Sequence, residues 1–215
     1  MKKLFCLCLT LLCIVSLTAC REIADEPVDE KPVIYLYPTE ETDVSVTLSY
    51  DGTLTHTYPA YENGWRVTAQ PDGTLTDASG REYYCLFWEG TGGAQYDFSR
   101  GFCVAGSDTA AFLEDALRQL GLTDQEANEF LIYWLPRMEG NAWNLISFQG
   151  AAYTDTAQLH IQPAPDTLLR VFMAWKPLTK AVDIEPQTLT APERCGFTVV
   201  ERREHGGWLC MVCKK

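Results

Sequence analysis

Apolar and hydroxylated residues alternate strictly from Val44 to Ser49: Val44, Val46 and Leu48 against Ser45, Thr47 and Ser49. A period of two describes a strand with one dry face and one wet face. Asp51-Gly52 follows, the dipeptide favoured where both central turn residues need positive φ, so residues 43–50 and 53–58 are expected to pair as a hairpin. Pro71-Asp72-Gly73 and Ser79-Gly80 supply two more turns and separate strands at 65–70, 74–77 and 83–89. The pentapeptide Asp-Gly-Thr-Leu-Thr occurs at 51–55 and again at 72–76, which reads as two similar hairpins and not as a repeat array. Upstream, Val33 to Tyr37 is a β-branched and aromatic run bounded by Pro32 and Pro38, which suggests a buried or edge strand.

The period then lengthens. Ser107 or Asp108 is placed to cap a helix whose apolar residues Phe112, Leu113, Ala116, Leu117 and Leu120 form one stripe, with Gly121 in the left-handed position that ends it. Thr123 and Glu126 have the spacing of a capping box, and Ala127, Phe130, Leu131 and Trp134 continue an apolar face to Pro136. After Gly140 strands return at 143–148, 157–162, 168–176, 196–201 and 208–212, punctuated by prolines. Strands, a helix pair, then strands again lack the alternation that parallel βαβ folds require. The expected fold is α+β: a mainly antiparallel sheet or sandwich with a helical hairpin, about 108–136, packed on one face.

The first twenty residues follow a different logic. Lys2 and Lys3 precede an apolar run to about Ser16, and Leu17-Thr18-Ala19-Cys20 resembles the tetrapeptide read by bacterial lipoprotein processing enzymes. Arg21-Glu22 arrives too soon for a membrane-spanning helix, which needs about 20 apolar residues. Residues 1–19 are therefore expected to be a signal peptide, with Cys20 as the lipidation site. The implied location is the outer face of the bacterial cell membrane, where a diacylglycerol on Cys20 gives durable anchoring. Arg21 to Lys31 is acidic and contains Pro27, so residues 20–31 read as a disordered tether and 32–215 as one extracytoplasmic domain.

Loss of Lys2 and Lys3 with the signal leaves 15 basic against 29 acidic side chains and moves the net charge from −12 to −14. Such a surface repels phosphate backbones, which disfavours nucleic acid as a partner.

Lys31 to Pro38 (KPVIYLYP), Tyr84 to Gly90 (YCLFWEG), Leu131 to Met138 (LIYWLPRM) and Leu168 to Trp175 together resemble an uncharacterised family of secreted bacterial proteins over about residues 31–200. That family has no established activity, so the resemblance implies no functional residue. Glu201 to His205 and the two cysteines that follow depart from its pattern.

Chemistry narrows by elimination. The chain has no Gly-x-Ser-x-Gly elbow, no His-Glu-x-x-His helix and no phosphate-binding Gly-x-x-x-x-Gly-Lys loop, and no cofactor is implied. Of its three histidines, His56 and His160 alternate with strand residues and read as solvent-face positions. The enzyme reading that survives is a carboxylate-only glycan hydrolase using Glu89 and Asp97, since glycoside hydrolysis needs two acids roughly 5–10 Å apart. Trp88 and Tyr96 beside them are candidate binding aromatics. The leading reading is a domain that binds a peptide, glycan or envelope component through an aromatic-lined face, and a structural envelope role is the third. Outside the cytoplasm thiols tend to oxidise. A turn around Glu204 to Gly206 would set Cys195 opposite Cys213, and Cys85 and Cys103 would form a second bridge, leaving Cys210 free. Zinc held by Cys195, His205, Cys210 and Cys213 is the competing reading, and no metal is assigned.

Overall fold

The computed structural model describes residues 28–92, 96–150 and 154–206. These form two packed sheets and a helix pair. The larger sheet runs, edge to edge, β3 (Gly52–Tyr58), β7 (Leu86–Gly92), β1 (Val28–Tyr37), β12 (Thr198–Gly206), β11 (Thr167–Leu178), β9 (Trp143–Gln149) and β8 (Phe102–Ala105). The smaller runs β10 (Ala157–Gln162), β2 (Thr42–Tyr50), β4 (Trp65–Ala69), β5 (Leu75–Thr76) and β6 (Glu82–Tyr83). Neighbours are antiparallel except β11 and β12, which run parallel. Helices α1 (Thr109–Gln119) and α2 (Asp124–Met138) cover the larger sheet on the face away from the smaller one. The expected α+β class, with its helical hairpin on one face, is the fold observed.

Three layers explain why the central strands read as continuous apolar runs. Ile34 and Leu36 of β1 meet Val44, Val46, Trp65 and Val67 between the sheets. Val33 and Tyr35, their neighbours in sequence, pack under Phe130 and Trp134 of α2. A strand buried on both faces has no wet side to alternate with. In β11, Leu169, Val171 and Met173 face the helices while Phe172 faces the smaller sheet.

The helices end where local chemistry requires. The Thr123 side chain accepts from the Glu126 amide and the Glu126 carboxylate accepts from the Thr123 amide, a complete capping box. Gly121 has φ +83°, the left-handed stop. At the start of α1 a short 3-10 turn, Gly106–Asp108, precedes the N-cap Asp108, whose side chain makes no capping bond. Pro136 does not end α2, which continues to Met138. The hydrogen bond it forgoes would fall on the carbonyl of Ile132, on the exposed side of the helix, where water can replace it.

Three expectations are corrected. Asp51-Gly52 does not close a hairpin: β2 lies between β10 and β4, whereas β3 is the edge of the other sheet, so the chain changes sheets there. Gly52 is needed for close approach, since a Cβ would stand 2.5 Å from the Thr91 carbonyl oxygen and 2.6 Å from the Tyr50 ring. The second copy of the pentapeptide does make its hairpin, with Gly73 at φ +90° and Gln70 N–H bonded to the Thr74 carbonyl at 2.8 Å. β1 begins at Val28, inside the segment expected to be a tether, because Val28 and Asp29 pair with Thr91 and Gly90 of β7. β12 runs straight through to Gly206, which pairs with Trp175, so the turn expected around Glu204 to Gly206 is absent. The strand expected at 208–212 lies outside the described residues.

Candidate functional site

The two aromatic residues singled out from the sequence belong to the interior. Trp88 is 0% exposed in the core between the sheets, because alternation along β7 turns Leu86 and Trp88 inward. Its indole N–H donates to Glu201 at 3.3 Å. Tyr96 packs edge-on against Phe172, ring centres 5.2 Å apart, and burial pushes its hydroxyl pKa up. Trp88 offers no ring face to a ligand, which corrects the binding role expected of it, and Tyr96 is partly buried against the sandwich core.

Glu89 and Asp97 are not brought together. Glu89, on β7, pairs with His56 of β3 at 3.2 Å. Asp97 is held beside β9: its N–H donates to the Gln149 side chain at 2.9 Å, and its carbonyl accepts from Ser147 and Gln149. β7 and β9 are four strand positions apart, about 19 Å at ~4.8 Å per strand, well beyond the 5–10 Å of a glycosidase pair. The Asp97 carboxylate accepts from the Ser99 amide at 2.7 Å and the Ser99 hydroxyl at 2.9 Å, which holds its pKa below the usual carboxylate range. It closes its own loop.

The expected Cys85–Cys103 bridge also changes. Cys85 precedes β7 and Cys103 lies on β8, second and last strands of the larger sheet. Five strand spacings amount to about 24 Å, where a disulfide needs Cα atoms within ~7 Å. Among the described residues neither of them, nor Cys195, forms a disulfide. Cys103 accepts from the Val182 amide at 3.4 Å, and Cys195 sits against the Thr167 hydroxyl at 3.4 Å. Cys20, Cys210 and Cys213 lie outside the described residues, as does the side chain of His205.

What the fold does assemble is a tyrosine-walled cleft of about 400 Å³ at the β3 end of the larger sheet. Cross-strand register puts Tyr58, Phe87 and Val33 in one row over β3, β7 and β1. The chain then supplies the opposite wall as it passes from β6 of one sheet to β7 of the other, through Glu82, Tyr83, Tyr84 and Cys85. Val33 and Cys85 are buried and form the floor, whereas Tyr58 is 50% and Tyr84 63% exposed. Tyr58 and Tyr83 meet edge-to-face at 5.6 Å, and the Arg81 guanidinium stands 5.7 and 5.6 Å from their ring centres. The Tyr83 hydroxyl donates to Asp77 at 2.9 Å. Asp77 also accepts from the Ser79 hydroxyl at 2.6 Å and the amides of Ser79 and Arg81, which together lower its pKa to about 2. The wall is thus braced from behind.

A buried polar cluster adjoins the floor. Arg202 lies opposite Val33 in the β1–β12 register. It donates to the Tyr35 hydroxyl at 2.7 Å and to Glu129 of α2 at 3.0 Å, and Tyr35 donates to Glu129 at 2.5 Å. Burial pushes the Tyr35 hydroxyl pKa well up. On the other face of β12, Glu201 accepts from Arg170 at 2.6 Å. Successive residues of one central strand therefore carry opposite charges into the two cores, each met by a partner.

Sequence reasoning missed this cleft, and the doublet Tyr83-Tyr84 is the signal that could have found it. Neighbouring strand residues face opposite ways, so two adjacent tyrosines of a one-sided sheet cannot both be core. No family model, no curated protein and no solved structure matches the chain. The functional reading therefore rests on geometry.

Proposed function

We propose that this chain is a lipid-anchored extracytoplasmic binding domain, held to the membrane through Cys20, whose ligand site is the tyrosine cleft. Its ligand is a peptide, a glycan or another envelope component. The observation that carries this reading is the exposure of Tyr58 and Tyr84 at 50% and 63% around a buried apolar floor. Large aromatic rings left uncovered give up about 1.5–3 kcal/mol each of burial, and a partner that covers them recovers it. The cleft is built on strands and a braced turn, so little ordering is needed when a ligand enters. Separation of Glu89 from Asp97 and the pairing of Glu89 with His56 favour binding over hydrolysis.

The test is a screen of the chain without its signal, residues 21–215, on peptide and glycan arrays, repeated with Tyr84→Ala. A central aromatic anchor contributes about 2 kcal/mol, so ligands of the cleft should weaken roughly 30-fold. Array ligands that bind Tyr84→Ala and the parent chain equally would sink the assignment.

A further inference from the structure

We infer that the cleft selects a lysine side chain presented by a partner polypeptide. This rests on the cleft being the ligand site, and it adds the chemistry of the ligand. The interior of the cleft is apolar, with Val33, Cys85 and Phe87, while its polar lining groups are the Glu82 carboxylate and tyrosine hydroxyls at the rim. A lysine has the same division: a four-carbon stem that packs on apolar surface and a compact charge at its tip.

Three observations favour a cation at that tip. Tyrosine faces carry negative quadrupole density and attract ammonium or guanidinium groups within about 6 Å of the ring centre. In this molecule the pair Tyr58 and Tyr83 already holds a guanidinium at that range, that of Arg81. Among the described residues no cation lies over Tyr84 or Phe87, the two rings that remain to be covered. Second, the one ionised side chain among the lining residues is a carboxylate, that of Glu82. Third, the whole chain carries a net charge of −12, which steers cationic partners toward it and anionic ones away. Arginine fits less well, since its planar fork matches a carboxylate that can be gripped from both oxygens in a buried site, and Glu82 is an exposed rim residue.

The probes are the tripeptides acetyl-Ala-Lys-Ala-amide and acetyl-Ala-norleucine-Ala-amide, which share the stem and differ in the charge. Binding is read from the ring signals of isotopically labelled tyrosine in the chain 21–215. The lysine peptide should bind about 5- to 20-fold tighter than the norleucine peptide. Glu82→Gln, a conservative change at an exposed position, should cut that preference at least about twofold, and raising salt from about 50 to about 500 mM should do the same. Equal binding of the two peptides at the cleft overturns the lysine inference and leaves the cleft a ligand site. Absence of any shift at Tyr58 and Tyr84 with either peptide also overturns it. Array ligands indifferent to Tyr84→Ala would instead remove the reading on which it rests.

Discussion

Replacing Arg170 with Met removes the cation that holds Glu201 inside the sandwich. The two side chains are 10% and 0% exposed, and the Arg170 Nε to Glu201 Oε2 distance is 2.6 Å. Arg170 also donates from Nη2 to the Ala157 carbonyl at 2.7 Å, so it ties β11 of one sheet to β10 of the other. After Arg170→Met the carboxylate keeps the Trp88 indole N–H at 3.3 Å but has lost its countercharge. A buried ion stripped of its partner costs about 3–5 kcal/mol. At roughly 2–4 °C per kcal/mol for a domain of this size, the melting temperature should fall by about 6–20 °C. The double variant Arg170→Met with Glu201→Leu should recover most of the loss, because the desolvation of Glu201 disappears with it. Urea unfolding of the parent, both single variants and the double variant, analysed as a cycle, gives the coupling energy. A single-variant cost below about 1 kcal/mol, or a double variant no better than Arg170→Met, would refute the argument that this pair is a coupled element of the core.

Three shorter predictions follow from the same geometry. Asp77 has its pKa lowered to about 2 by the Ser79 and Tyr83 hydroxyls and the Arg81 amide, so its contribution to stability is present above its unfolded pKa near 4 and lost as pH falls toward 2; Asp77→Asn should flatten the acid limb of the stability curve between pH 4 and 2, and an unchanged limb would count against the brace. Glu89→Gln should change stability by less than about 1 kcal/mol, since its partner His56 is 71% exposed, and a larger loss in urea unfolding would show that Glu89 holds the fold. Cys20→Ala should abolish incorporation of an acyl probe in cells, and equal labelling of parent and variant would remove the lipid anchor.

What the sequence made legible was local. The capping box at Thr123 and Glu126, the glycine stop at Gly121 and the hairpin at Pro71-Asp72-Gly73 each depend on residues within a few positions, and each formed. The sheet switch at Asp51-Gly52 was hidden because the same pentapeptide serves two geometries, and the contacts that distinguish the first copy, such as Tyr50 against Trp88 with ring centres 5.0 Å apart, are distant in sequence. Trp88 and Tyr96 looked available because exposure is a property of the layer opposite, which periodicity does not contain. The Cys85–Cys103 pairing relied on adjacency in sequence, yet β7 and β8 are held apart in the seven-stranded sheet by β1, β12, β11 and β9, which insert between them. The cleft draws its walls from both sheets, so no single segment announces it beyond the Tyr83-Tyr84 doublet.

The most direct test of the central claim is tyrosine-resolved NMR of the labelled chain with any ligand recovered from the arrays. The chain has 10 tyrosines, and the described ones are spread between cleft, sandwich core and helix-facing core. Saturating ligand should move the ring signals of Tyr58, Tyr83 and Tyr84 and leave those of Tyr61 and Tyr96 in place. Shifts centred on Tyr61 or Tyr96, with Tyr58 and Tyr84 unmoved, would contradict the account.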